Sequence, residues 1–532
     1  CSSQCVIENQ NQPPVAQVSA NPASGTVPLT VQFSSSGSTD PDGQIVSYVW
    51  DFKDGSTTSS VNPSHTFQNA GSYNVVLTVT DNEGLVDQAQ VNINVGQNNP
   101  PTGQIYVDAV NGNDNNSGSA AQPVQSISEA LVRVQPGFVV NVLPGVYSET
   151  LNTRINGNEN ERIVIRSVQP HQAIIQTDGD NLDVNHAYYT FEGLIFDGQY
   201  GDGDIINVTS SGDFLHFINN QVYHGSSDGL DLGHNETSID AQTDFLEGVV
   251  ISGCKIHDLL NFSNGSRIDA HGIVAGGVRN FTIDNTEIYY VSGDALQLQD
   301  GGWDFVTLNQ NTFWNGPLPS SRGGFHAGDN PGEDGIDTKQ DENLPRGTLV
   351  VKNSIFYGWD GDFISNGSAL NLKENISAVI EGNTIYENSI GLRLRGRAND
   401  TGAHVSVMNN VIYSNSRALR YEDGINQLHV LNNTFGSGNI IYFQNAGGAG
   451  SDFQVLNNAF LTNNLPSEAS HISNQLALVS DFNNPANHDY SLTILANLID
   501  IGVNIPEVTT DILGVHRPQG SGYDVGAFEF EN

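Results

Sequence analysis

One short phrase, an Asn or Asn pair flanked by aliphatic and aromatic residues, recurs down the C-terminal three-quarters of this chain. It reads INNQVY (Ile218 to Tyr223), IDNTEIY, LNQNTFW, VKNSIFY, IEGNTIY, MNNVIY, LNNTF and LNNAF, the last ending at Phe460. Later copies follow one another at roughly 23 to 30 residues, the range of stacked-coil architectures. Each copy joins two short β-type runs around a polar bend. One such unit cannot bury its apolar face alone, but a stack can. The pattern predicts a parallel β-helix with the Asn residues forming a ladder inside the stack. The long, flat wall of such a fold suits an extended polymer better than a small metabolite.

Charge narrows the partners. The chain has 59 Asp and Glu against 19 Lys and Arg, a net charge of −40. Nucleic acid is excluded as a partner, because phosphate binding needs a basic face. Part of the acidity is a solvated surface, and part is available to a hard cation such as Ca²⁺, which prefers carboxylate oxygen. An anionic substrate would have to meet a local basic patch or a metal against the overall field. No apolar run is long enough to span a bilayer. The three Cys residues (Cys1, Cys5, Cys254) are too few for a disulfide framework.

A second periodic signal runs out of phase with the Asn phrase: SDGLDLG, DAHGIVAGG, GDALQLQDGG, EDGIDTKQ, WDGDFI, IGLRLRG and RALRYEDG. Alternate residues of a strand point outward, so stacking would align these side chains in a column. The column carries Asp228 and Asp231, His271, Asp294 and Gln297, Asp334 and Asp337, Asp360 and Asp362, then Arg393 and Arg395, with Arg397 at the rim. Carboxylates give way to guanidinium groups, as a metal site flanked by a cationic sugar-binding site would. Each Asp-Gly taken singly is a turn former; the information lies in the repetition.

Four regions are expected: a flexible tether (1–13), a β-sandwich (14–96), a Pro-Pro and Asn-rich linker (97–103) and one all-β elongated domain (104–532). The segments NPASGTVPLTVQFSSSGSTDPDG, YVWDFKDG and HTFQNAGSYNVVLTVTDNEG closely resemble the PKD domain, an immunoglobulin-like β-sandwich, with Lys53 where that family usually has Gly. The resemblance implies a spacer or weak glycan binder without catalysis. Cys-Ser-Ser-Gln at the start, followed by a polar tether, resembles a processed bacterial lipoprotein. That implies a lipid on Cys1 and a protein that is secreted or anchored at the outer membrane; a monomer is expected. IYVDAVNGNDNNSG, PVQSISEALVRV and GFVVNVLPGVYSETL resemble the start of right-handed β-helix proteins acting on polysaccharides, in which a short helix, here Ser128 to Val134, caps the stack. A cap is needed because an open first coil exposes a sheet edge.

The order and spacing of the later coils resemble polysaccharide lyase family 9. DGIDTK matches that family's D-G-F-A-x-K coil, WDGDF loosely matches D-D-G-W-D-L, and IGLRLRG matches N-G-F-K-L-G. The resemblance implies Ca²⁺ held by Asp334, Asp337, Asp360 and Asp362, with Glu333 available to complete the shell. It places Arg393 in the slot of the family's catalytic Lys. Abstraction of a proton next to a uronate carboxylate needs a base that starts neutral, and arginine is a poor one; Lys339 and Lys373 are therefore the rival bases. Arg395, His271, Asp294 and Gln297 are expected to bind substrate. The implied function is a calcium-dependent polysaccharide lyase acting on an anionic, uronic-acid polysaccharide by β-elimination. Two alternatives stand beside it. One is a β-helix glycoside hydrolase using paired Asp residues, with Asp294, Asp334 and Asp337 available. The other is a non-catalytic surface glycan-binding protein.

Overall fold

The structure is a computed structural model that describes residues 11–26, 29–69, 71–96, 103–233, 245–299, 301–340, 344–396 and 402–531. Cys1, Cys5, Arg397 and most of the expected tether and linker lie outside the described residues. The chain divides into two compact units at Gly103.

The first unit is built from a three-stranded and a five-stranded sheet. The alternating runs bury one face of each strand. Val31, Phe33, Trp50, Phe67, Leu77, Val79 and Ile93 form the core, each under 3% exposed. Trp50 donates its indole N–H to the Ser60 carbonyl at 2.9 Å, so the buried ring leaves no polar atom unpaired. Lys53 has φ +62°, the left-handed region that glycine enters most easily, which explains why the family usually has Gly there.

The second unit contains three long parallel sheets, of 13, 13 and 11 strands. The first runs from Gly103–Val107 to Ala449–Leu456, the second from Gly145–Tyr147 to Gln475–Leu476, and the third from Leu151–Asn152 to Ile441–Ala446. Each coil contributes a strand to each sheet in turn, the signature of a parallel β-helix. In the first sheet the register stacks Ile165, Phe191, Phe217, Ile251, Ile283, Leu308, Val351, Ile380, Val407 and Val430 into one buried apolar column. The helix Ile127–Arg133 buries Ile127, Ala130 and Leu131 in the core at the N-terminal end, and Ser126 caps it by accepting the Glu129 N–H.

The Asn phrase is a two-part device. Its first residue takes a left-handed bend: Asn219, Asn285, Gln310, Asn353, Asn409, Asn432 and Asn457 all have φ between +46° and +56°. Asn tolerates that conformation better than most side chains. The following residue points inward as a rung. Asn383, Asn410, Asn433 and Asn458 each pass Nδ2 to the next Oδ1 at 2.9–3.0 Å, the last to Asn474. Each of their Nδ2 groups also donates to a core-strand carbonyl at 2.7–2.9 Å. In the earlier coils the same place is held by Asn220, Cys254, Thr286, Asn311 and Ser354, each accepting the backbone N–H of the rung before it or, for Asn220, that of Leu194. Cys254 is therefore a ladder member; burial pushes its thiol up to about 11, so it stays neutral.

Outward from the second sheet, Tyr223, His257, Tyr289, Trp314, Tyr357, Tyr386 and Tyr413 stack ring on ring, with centroids 4.7–5.6 Å apart and planes within 18° of parallel. Their faces are occupied by one another.

Candidate functional site

The outward column lies on the third sheet. Pairwise register stacks Asp231, Val274, Gln297, Asp337, Asn371, Arg393, Arg420 and Gln444. Two residues further along each strand, Lys373, Arg395 and Glu422 stack in turn. The strand between Asp337 and Arg393 is Ser368–Lys373, SALNLK, which lacks an Asp-Gly signal.

This corrects the assignment of Asp360 and Asp362. They are exposed and lie in the loop between the strands Ile355–Tyr357 and Ser368–Lys373. Asp362 accepts the Asn330 N–H at 2.8 Å, and Asp360 accepts the Ser389 hydroxyl. Asp-Gly is acting as a turn here, and among the described residues neither carboxylate shares a hydrogen-bond partner with Asp334 or Asp337.

At the starts of the strands, polar groups link one coil to the next. Asp228 accepts the His271 N–H at 2.8 Å, and His271 Nδ1 accepts the Asp294 N–H at 2.8 Å. That bond leaves Nε2 to carry the proton of the neutral ring, the form that burial favours by pushing the imidazole pKa down. Asp294 accepts the Asp334 N–H at 3.1 Å and the Gln297 side-chain amide at 3.0 Å. Asp334 accepts the Ser368 N–H at 2.6 Å, its hydroxyl at 2.5 Å, and the Asn371 amide at 2.9 Å. His271, Asp294, Gln297 and Asp334 are all buried and joined by this chain of contacts, and the buried Asp337 sits beside them in register with Gln297.

Charge is concentrated where these coils meet. Burial raises the carboxyls of Asp294 and Asp334 well above the usual range, and neighbouring carboxylates add to it: Asp337 and Glu333 for Asp294, Asp294 and Asp337 for Asp334. Asp337 is gripped by Lys373 Nζ at 2.8 Å, with Lys339 Nζ at 3.6 Å. Glu333 is held by Arg267 at 2.7 Å, from the hairpin Asn261–Ile268. Sequence reading left Arg267 out because nothing in the phase of the column marks an inserted hairpin.

Arg393 does not have the freedom of a base. Its Nε lies 2.8 Å from Glu422, a residue that also binds Arg395 at 3.0 Å and Arg420 at 2.6 Å. Burial would raise the Glu422 carboxyl, but Arg393 and Arg420 outweigh it and hold the pKa below the usual value.

Among the described residues no three His, Cys, Asp or Glu side chains form a group that could hold a metal ion as they stand. The quartet Asp334, Asp337, Asp360 and Asp362 is therefore not assembled. Asp294, Glu333, Asp334 and Asp337 offer hard oxygen donors, the kind Ca²⁺ takes, but Glu333 and Asp337 are engaged by cations and both Asp334 oxygens are occupied by donors. The donor set suits the ion in kind only.

Comparison with known proteins fits these two units. The family described as PKD domain matches residues 11–95, and Right handed beta helix region matches residues 271–460. A family described only as Protein of unknown function (DUF1565) matches residues 110–155. Collagenase ColQ1 of Bacillus cereus (strain Q1) is 41% identical over 88 residues, which is 16% of this chain and 9% of that protein. The microbial collagenase of Vibrio alginolyticus is 41% identical over 104 residues, 20% of this chain and 11% of that protein. The chain thus spans about a tenth of the length of the curated relatives it matches. Among solved structures, pectate lyase Pel9A is similar at 17% identity and TM-score 0.47, over 81% of this chain and 97% of that one. The chain carries an N-terminal PKD-type domain and a right-handed parallel β-helix.

Proposed function

We propose that the β-helix is an extracellular polysaccharide lyase that cleaves an anionic, uronic-acid-containing polymer by β-elimination on the third-sheet strip. One observation carries the reading. Lys339, Lys373, Arg393, Arg395 and Arg420, five of the chain's 19 basic residues, fall on four successive coils of one face in a protein of net charge −40. Such a patch gives an acidic polymer somewhere to bind against the overall field.

Lys373 is the assigned base. Its side chain is 14% exposed against 35% for Lys339, so it is the more enclosed of the two rival amines; to act it must first lose its own proton and leave its 2.8 Å pairing with Asp337. Lys339, on the coil before, and Arg393, on the coil after and opposite Asn371, would neutralise the sugar carboxylate, so that negative charge developing at the adjacent carbon meets fixed positive charge. Gln297, Asp294 and His271 form the neighbouring wall, with His271 neutral and able to donate from Nε2. Asp334 is a positioning residue, fixing Ser368 and Asn371 on the coil that carries Lys373.

Calcium is the finer part of the proposal. Asp294, Glu333 and Asp337 are the carboxylates that would hold it, once Arg267 and Lys373 release the last two, and it would supply positive charge for the substrate carboxylate.

The glycoside hydrolase reading gains from the raised Asp294 and Asp334 carboxyls, since one such group is needed as an acid. Against it, Asp334 is 3% exposed and hydrogen-bonded through both oxygens. The test is incubation with polygalacturonate, alginate and rhamnogalacturonan, with and without chelator, following the ultraviolet band of the unsaturated product beside a count of reducing ends. Elimination gives both signals on at least one polymer, and chelator sensitivity supports the calcium assignment. Reducing ends without the band establish hydrolysis. Neither signal, with binding retained, leaves a glycan-binding surface.

A further inference from the structure

Three guanidinium groups converge on one buried carboxylate at the far end of the strip. Arg393 and Arg420 face each other directly in register on adjacent strands, and Glu422 binds both together with Arg395. Like charges directly opposite on neighbouring strands oppose pairing. Among the described residues, one carboxylate against three guanidinium groups leaves local positive charge in excess, although Asp423 lies 3.4 Å from Arg395. A fold that needed only stability would have no use for this arrangement in so acidic a chain.

The same column also holds buried polar atoms with no hydrogen-bond partner among the described residues: Asn371 Oδ1, Arg420 Nε and Gln444 Oε1. Such atoms carry a desolvation cost until something meets them. Arg420 is 20% exposed and Arg395 32%, so both heads can be reached from solvent. Arg420 also points one nitrogen toward Asn366, on the loop preceding the Lys373 strand, at 3.5 Å.

We propose that Arg420, with Arg395 reaching it from the coil opposite Lys373 and both held by Glu422, forms an anion subsite for a charged substituent of a sugar away from the bond that is cut. Adjacent strands are roughly 4.8 Å apart, so the Arg420 coil lies about 10 Å from the Lys373 coil along the stack. An extended pyranose chain advances by a similar step per residue. The sugar chain therefore runs along the helix axis, and the subsite reads the acidic group of a residue about two sugars from Lys373. Glu422 keeps the guanidinium planes oriented while the substrate is absent, reducing the ordering cost when the anion arrives. A carboxylate and a sulfate share the chemistry that would be recognised here.

This subsite rests on the proposed function for its distance from the cut but not for its binding chemistry, and the experiment separates the two. Affinity electrophoresis at low temperature, in gels containing polygalacturonate, alginate, a sulfated galactan or a fully methyl-esterified pectin, would compare the wild-type chain with Arg420→Gln and Glu422→Gln. The wild-type chain is expected to be retarded by at least one charged polymer and not by the ester. Arg420→Gln should weaken that retardation about tenfold, while Glu422→Gln, which keeps an acceptor oxygen to orient the guanidinium groups but removes the competing charge, should strengthen it and steepen its salt dependence. The polymer that responds tells carboxylate from sulfate. Equal retardation of Arg420→Gln and wild type, or none of either on any charged polymer, overturns the subsite. Retardation lost on Arg420→Gln with no elimination product from the wild type keeps the subsite and rejects the lyase. Elimination with an unchanged KM for long polymers in Arg420→Gln keeps the lyase and rejects the subsite. Circular dichroism of both variants guards against misfolding.

Discussion

The inside and the outside of the coil stack use the same repeat to opposite ends. Inside, Asn410, Asn433 and Asn458 meet in register, and each carries both a donor and an acceptor, so every rung satisfies the next. Outside, Asp294 presses on Asp334 and Arg393 faces Arg420, and each meeting sets like charge against like. Stacking rewards a residue that complements itself and penalises one that does not. Where a stack keeps the penalised kind on an open face, the gain lies in what the face binds.

The largest expected effect is on the outside. Lys373→Gln keeps a donor beside Asp337 but cannot accept a proton. Its elimination rate should fall by about 100-fold or more while the thermal midpoint moves by only a few degrees. An unchanged rate would move the base to Lys339.

Next comes the inside. Asn433→Ala leaves the Asn410 N–H and side-chain amide and the Val407 carbonyl without their partner. Urea denaturation should show a loss of about 2–4 kcal/mol. Asn433→Ser should lose less, because Ser354 already serves as a rung. Equal losses would mean that cavity volume, not hydrogen bonding, governs the ladder.

This ladder also shows what could be read from sequence. The Asn-Asn pair was legible because left-handed bend and rung both favour Asn. The earlier rungs were not, because Cys254, Thr286 and Ser354 supply the same acceptor through unrelated side chains. Outside, Asp334, Asp337, Lys339, Arg393 and Arg395 were legible from their alternation. Asp360-Gly361-Asp362 imitated that signal as a plain turn, while the true intervening coil, SALNLK, hid behind Asn371. Glu422 could not be singled out, since only the register shows that three arginines reach it.

A smaller effect sharpens the electrostatic side. Burial, as the largest cause, raises Asp228 to about 6. A carboxyl raised in the folded state lends stability below its unfolded pKa of about 4 and loses it as pH climbs through about 6. Asp228→Asn keeps the acceptor for the His271 N–H and removes that loss. It should be more stable than wild type by about 1–2 kcal/mol at pH 8, with a flatter stability profile between pH 4 and 6. The smallest effect is that of Arg420→Gln on stability. Relief of the contact with Arg393 should offset the lost pairing with Glu422, leaving the midpoint of chemical unfolding within about 0.5 kcal/mol of wild type.

The most direct measurement is a crystal structure of Lys373→Gln with an acidic oligosaccharide long enough to span four coils. The sugars should lie along the third sheet, parallel to the helix axis, with one carboxylate between Lys339 and Arg393 and a second anionic group at Arg395 and Arg420. Sugars seated elsewhere, for instance beside the stacked rings of Tyr289, Trp314 and Tyr357, or crossing the coils at right angles, would contradict it.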